Sequence, residues 1–203
     1  GTGQLFRSST DGATWWSATS FNATGQTSDH LATWVSGTDL HYAYTYGGDN
    51  VWYRKGTLNA DGTITWAAAE QLVQNSITLT RVEGICLDSA GLPIITFVGG
   101  ANGSAYVTKS STSNGTWTVA ADFPYNFYQG SIAEILPKMW LVTLTSSKFY
   151  VGYKRIGQGH PHRGRLWDAG WGGSLEVVIN SDHPADGMSA VADGDVIYVT
   201  YES

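Results

Sequence analysis

A tryptophan shortly after a glycine-bearing turn returns at Trp15, Trp66 and Trp117, 51 residues apart each time, and Trp167 follows 50 residues later. A chain that repeats at this interval folds by stacking copies of one supersecondary unit, so the unit is what has to be read. Each tryptophan follows an alternating strand pattern and a turn: QLFRSS before TDGATWW, NVWYRKGTL before NADGTITW, SAYVTKSS before TSNGTW, and KFYVGYKRI before the longer GQGHPHRGRLW. Alternation broken by such turns marks β-hairpins, because glycine makes the turn sterically possible. Between the hairpins lies a second pair of apolar strands: LATWVSGTDLHYAYTY, EGICLDSAGLPIITFV, IAEILPKMWLVTLT and MSAVADGDVIYVTY.

One unit is therefore an inner strand pair followed by an outer hairpin, which is the signature of a β-propeller blade with four antiparallel strands. The chain opens with an outer hairpin and closes with an inner pair. The expected fold is all-β, a single propeller domain over residues 1–203 with about four blades. Its blade parts are 1–21 with 188–203, 30–73, 82–123 and 131–179. Pairing of the N-terminal and C-terminal half-blades would close the ring and remove exposed strand edges. The alternative is a fragment of a larger propeller.

Composition agrees with a β-rich globule: of 203 residues 42% are hydrophobic and 14% charged, with 25 Gly, 9 Trp and 11 Tyr. A net charge of -6, with 11 scattered Lys and Arg, leaves no basic stripe for phosphates, so nucleic acid is not an expected partner. The single Cys86 lies in an apolar run and reads as a small buried residue. No run of 18 apolar residues provides a membrane-inserting helix. No cofactor is expected.

The turn and tryptophan stretches resemble the Asp-box, or BNR, repeat of sialidase-like propellers, whose pattern is Ser-x-Asp-x-Gly-x-Thr-Trp. In SSTDGATW the matching residues are Ser8, Gly12, Thr14 and Trp15, with Thr10 in place of the Asp; DGTITW and SNGTW are looser copies. The resemblance implies that Trp15, Trp66 and Trp117 are packing residues and that a ligand binds on the opposite face. Enzymes of the family hold a carboxylate with three arginines, one of them in an Arg-Ile-Pro motif at the start of an innermost strand. Arg81 in TRVEGICLDS resembles that arginine, with Val82 and Glu83 replacing Ile and Pro. Only one such arginine can be placed, and no catalytic residue is assigned.

Loops that enter the innermost strands converge around the axis of a propeller. Here they supply Asp29 and His30, Arg81 and Glu83, Tyr125, Tyr128 and Gln129, and Asp182, His183 and Asp186. Aromatic faces mixed with carboxylates, an amide and a guanidinium suit sugars, whose rings stack while their hydroxyls need donors and acceptors. The segment GQGHPHRGRLWDAGWGG, residues 157–173, departs from the repeat and is read as a partner-contact loop carrying His160, His162, Arg163, Arg165, Trp167 and Trp171. His160 and His162 lack a third ligand at useful spacing, so no metal site is expected. These readings converge on a non-enzymatic extracellular or surface module that binds a glycan. The alternatives are a structural building block of a surface assembly and a sialidase-like hydrolase.

Overall fold

The computed structural model describes residues 5–6, 9, 12–13, 15, 19–20, 30–46, 50–67, 70–78, 80–100, 103–117, 123–128, 135–156, 162–173, 176–179 and 188–201. Among them every regular element is a strand. β1 (Leu5–Phe6) and β2 (Thr19–Ser20) form a pair. β3 (Leu31–Ser36), β4 (Asp39–Tyr46) and β5 (Asn50–Leu58) follow, and β6 (Ile64–Trp66) and β7 (Gln71–Gln74) both pair with β5, sharing the outermost position. The second sheet is β8 (Arg81–Leu87), β9 (Pro93–Gly99), β10 (Ser104–Lys109) and β11 (Tyr125–Tyr128). The third is β12 (Ile135–Thr143), β13 (Phe149–Ile156), β14 (His162–Trp167) and β15 (Glu176–Ile179), and β16 (Met188–Asp193) pairs with β17 (Val196–Tyr201). All ladders are antiparallel, and all but the β5–β7 pairing join successive strands, the arrangement short turns permit. Among the described residues no ladder joins β1–β2 to β16–β17.

The sheets stack face to face, and the strand alternation shows how. On β9, Ile94 and Val98 join Phe149, Val151, Tyr153 and Trp167 of the third sheet, whereas Ile95 and Phe97 join Ala43, Val51 and Tyr53 of the first. Successive side chains of one strand thus enter two different cores, and every residue of β9 is buried. This is why the second strand of a unit reads as a continuous apolar run in place of an alternation. Each large apolar side chain so buried stabilises the fold by roughly 1.5–3 kcal/mol. On β13 the pattern recurs: Tyr150 faces away from Phe149 and Val151, into a core with Trp140, Val142 and Leu144 that Ala190, Ala192, Ile197 and Val199 cover from the β16–β17 hairpin.

That last core depends on missing side chains. Gly152 stands directly across the ladder from Trp140, and a Cβ there would lie 1.9 Å from the indole; a Cβ on Gly164 would lie 2.1 Å from the Tyr150 ring. The two rings stack at 5.6 Å over the bare backbone. The leading strands β3, β8, β12 and β16 lie side by side in that order. Trp34 of β3, Leu141 to Thr143 of β12 and Ala190 to Ala192 of β16 line a cavity of about 180 Å³ between them.

The tips of the inner hairpins are clipped together. Ser147 N, in the β12–β13 turn, donates to Ser89 Oγ in the β8–β9 turn at 2.6 Å. On its other side Thr145 N and Oγ1 donate to Asp195 Oδ1 in the β16–β17 turn at 2.9 and 2.6 Å, and Lys148 Nζ donates to Asp195 Oδ2 at 2.5 Å. These contacts hold the Asp195 carboxyl down at about 2.

The third unit is in a different phase from the one expected. IAEILPKMWLVTLT was read as two strands, but residues 135–143 form the single strand β12, and KFYVGYKRI is its partner β13 instead of the start of the outer hairpin. The apparent turn at Leu136–Lys138 is a bulge that admits Pro137 without breaking the strand. Trp167 consequently ends β14. Trp171, which bridges to Trp167 across the turn as Trp15 bridges to Ser9, holds the repeat position expected of Trp167.

Candidate functional site at the strand entrances

The β8 entrance is built most firmly. Gln74 closes off the preceding strand with its side chain: Oε1 accepts from Ser76 N and from Ile77 N, the latter at 3.1 Å, while Nε2 donates to Ile77 O at 3.3 Å. The loop then lies on the end of β9, where Gly100 N donates to Thr78 O at 2.5 Å. A Cβ on Gly99 would lie 2.8 Å from Ile77 and 3.0 Å from Thr80, so the close approach requires glycine. The backbone is therefore fixed before it reaches Arg81.

Glu83 is the extra residue of a bulge between Val82 and Gly84, and its Oε1 accepts from Arg81 Nε at 2.5 Å. Both side chains are mostly withdrawn from solvent, at 15% and 9% exposure. Among the described residues, neither the buried Arg81 Nη2 nor the buried Oγ1 of the preceding Thr80 has a hydrogen-bond partner. Native folds leave few buried donors unmet, because each costs roughly 1–3 kcal/mol and more when charged. Two of them fall in successive residues at this strand entrance. Sequence reading singled out Arg81 and Glu83 but missed Thr80 and Gln74, whose roles come from three-dimensional closure.

The other expected site residues are placed unevenly. His30 stands half-buried before β3, its carbonyl accepting from Thr45 N at 3.1 Å. Asp29, Gln129, Asp182, His183 and Asp186 lie outside the described residues. Tyr128 belongs to β11, and its side chain is outside the described set. Tyr125 is also in β11, not in an entrance loop, and it is committed to packing between sheets. It stacks on Trp171 at 4.4 Å and receives a hydrogen bond from Arg165 Nη1, whose guanidinium lies over its ring at 5.1 Å.

The described part of the 157–173 segment, residues 162–173, is likewise largely structural. His162 and Trp167 are buried and Trp171 is half-buried against the core shared by the second and third sheets. Arg165 also donates to Gly172 O, from Nε at 2.8 Å and from Nη2 at 2.5 Å. Arg163 is exposed, and His160 lies outside the described residues. The physical reason is that both faces of β14 are covered: Gly164 lies under Tyr150 on one, Trp167 packs with Phe149 on the other, and His162 shares the parity of Gly164. Among the described residues no three His, Cys, Asp or Glu side chains gather as a metal site.

Two histidines are buried in neutral form. His41 accepts or donates at Nδ1 to Tyr53 Oη, 2.8 Å away, and its pKa is lowered to about 4 by burial and then by Lys55, against a weaker pull from Asp39. His162 is lowered to about 4 by burial and then by the Lys154 ammonium, which is itself fully buried. Both lie below the unfolded value of 6.5, so the unfolded chain takes up protons first as the medium becomes acidic. Stability is expected to be level above pH 6.5 and to fall between there and about 4, by at most roughly 3 kcal/mol per ring. Asp195 contributes only further down, between 3.8 and about 2. Urea midpoints at neutral and mildly acidic pH, with His41→Gln and His162→Gln as comparisons, measure this; an unchanged midpoint across the window would refute it.

No protein-family model matches the chain, and no curated protein matches it in sequence. Solved structures do resemble it. Trypanosoma rangeli sialidase in complex with 2,3-difluorosialic acid, a covalent intermediate, superposes with a TM-score of 0.50 at 16% identity, over 97% of this chain and 34% of that one. The same enzyme in complex with sialic acid gives 0.49 at 14% identity, over 97% and 35%. The chain thus spans about a third of the length of the sialidase chains it matches. The likeness is one of fold: an all-β, sialidase-like architecture of stacked antiparallel sheets.

Proposed function

We propose that the chain is a non-enzymatic recognition module, extracellular or surface-associated, that binds a glycan at the strand-entrance face. The observation that carries this reading is the pair of unmet donors, Arg81 Nη2 and Thr80 Oγ1, at a rigid entrance. A sugar carboxylate or hydroxyl supplies the acceptor both lack, and Glu83 holds the guanidinium in place for it. The sialidase of similar fold has been solved with a sialic acid derivative, which makes acidic sugars the first class to examine. A glycan array probed with the parent and with Arg81→Ala is the test. The variant should remain folded, with a lower melting temperature because Glu83 loses its partner, and lose roughly 1–3 kcal/mol of affinity for the parent's binders. Absence of any parental binder, or equal binding by both, would remove the face from contention.

A second reading, a building block of a surface assembly, is favoured by the outer face of the β16–β17 hairpin. Val191, Val196 and Tyr198 are 64%, 56% and 56% exposed there, on a sheet of two strands where the second and third units have four. The ring closure proposed for residues 1–21 with 188–203 would place the β1–β2 pair beside this hairpin and complete a blade. A fluorogenic glycoside panel separates both readings from hydrolysis.

A further inference from the structure

The face of the third sheet that meets the β16–β17 hairpin is apolar for most of its length, with Trp140 and Val142 of β12, Tyr150 of β13 and Leu166 of β14. Toward the end where β12 begins, it changes character. Side-chain alternation carries the same face past Gly152 and Gly164 to Lys138, Lys154 and His162, one on each of three neighbouring strands. Lys138 and Lys154 stand directly opposite each other in the β12–β13 ladder. His162 is near enough for the Lys154 ammonium to help lower its pKa. From the hairpin, Tyr201 shares the parity of Ile197 and Val199 and brings its ring to 6.1 Å from the imidazole.

Lys138 is exposed, whereas Lys154 is fully buried. Among the described residues Lys154 Nζ has no hydrogen-bond partner, and neither lysine enters an ion pair. Asp88, likewise buried, shows the usual arrangement, with Lys109 Nζ 2.7 Å from its carboxylate. Like charges opposed on one ladder repel, and an ammonium withdrawn from water is costly until an acceptor meets it. On β15 the carboxylate of this face is Glu176, which stands opposite Gly164 and whose Oε2 accepts from Tyr150 Oη at 3.0 Å. The row therefore gathers positive charge that no carboxylate among the described residues answers.

We infer that Lys138, Lys154 and His162 form a site for a tetrahedral oxyanion, the phosphate or sulfate group of a ligand. Two ammonium groups on adjacent strands balance a dianion, and the imidazole adds a ring N–H. Ammonium groups act as point charges that suit a compact tetrahedral group, whereas a planar carboxylate is matched best by a guanidinium fork. This face has no such fork on β14, because Arg163 and Arg165 have the opposite parity to His162 and Gly164. The exposed Lys138 and the Tyr201 ring, 45% exposed, flank the row and open it to solvent. Neither Arg81 nor Thr80 takes part, so the site stands or falls apart from the entrance-face reading.

The experiment is titration calorimetry at fixed ionic strength with inorganic phosphate, inorganic sulfate, glucose 6-phosphate and galactose 6-sulfate, with acetate as the carboxylate comparison, each up to about 10 mM. At least one of the four oxyanions should bind saturably. Binding by the free ions shows that the group alone suffices, and binding by the esters alone shows that the sugar contributes. Lys154→Met keeps the stem and removes an unpaired buried charge, so it should fold and should weaken the binding by at least about tenfold. Lys138→Ala, at an exposed position, should weaken it by about threefold and decides the matter if Lys154→Met fails to fold. Arg81→Ala should leave it unaltered. No binding by any of the four, binding by acetate alone, or binding that Lys154→Met retains in full overturns the site, whatever the array shows for Arg81.

Discussion

Gly152→Val is expected to lose at least about 3 kcal/mol of stability, the most severe single substitution that the structure identifies. The added Cβ would overlap Trp140 at 1.9 Å, a contact no rotamer change at position 152 can relieve because the Cβ itself is at fault. Trp140, only 7% exposed, would have to leave its place over the strand, and with it the stack on Tyr150 and the floor of the core under β16–β17. For a chain of this size the loss corresponds to a melting point lower by roughly 6–12 °C. Gly173→Ala is the control, since nothing lies within 4 Å of a Cβ there, and it should melt with the parent. A Gly152→Val protein that also melts with the parent would show that the indole is not where the core needs it.

Deletion of residues 188–203 should do more, leaving a protein that is insoluble or lacks a cooperative transition. The hairpin covers Trp140, Val142, Leu144 and Tyr150, and its removal would present that whole apolar face to water while discarding the Asp195 clip. Under the proposed ring closure, deletion of residues 1–21 has a comparable outcome, because each half-blade is the other's missing edge. Solubility on expression and the calorimetric transition are the measurements. A soluble C-terminal truncation with the parent's melting temperature would contradict the packing, and the same result for the N-terminal one would contradict closure alone.

Much of the fold can be read from the chain because local signals repeat. The Gly-bearing turns, the apolar pairs and the spacing of Trp15, Trp66 and Trp117 each restate the same four-strand unit, and the second sheet follows it closely. The third unit misled for a definite reason: a proline inside an apolar run is normally a break, and a bulge at Ile135–Lys138 that absorbs it leaves no mark in sequence. The shift of phase then displaced the assignments as far as Trp171, which is how His162 and Trp167, both buried on β14, came to be read as loop residues; the closing pair β16–β17 was read in its true place. Arg81 and Glu83 were legible from their place at a strand start. Tyr125 was not, because its partners Arg165 and Trp171 lie far along the chain, and aromatic side chains look alike whether they await a ligand or are already stacked.

The clips between hairpin tips bear on how such a chain can change its length. The joints at the tips between the second and third sheets and between the third sheet and the last hairpin are made by a handful of side chains in three turns: Ser89, then Thr145, Ser147 and Lys148, then Asp195. The middle turn serves as socket and plug at once. The two joints use different acceptors, a serine hydroxyl on one side and a carboxylate on the other, so each tip is matched to its own neighbour. A unit copied to another place would meet a tip that does not answer its own, and the order of the units is thereby written into their turns.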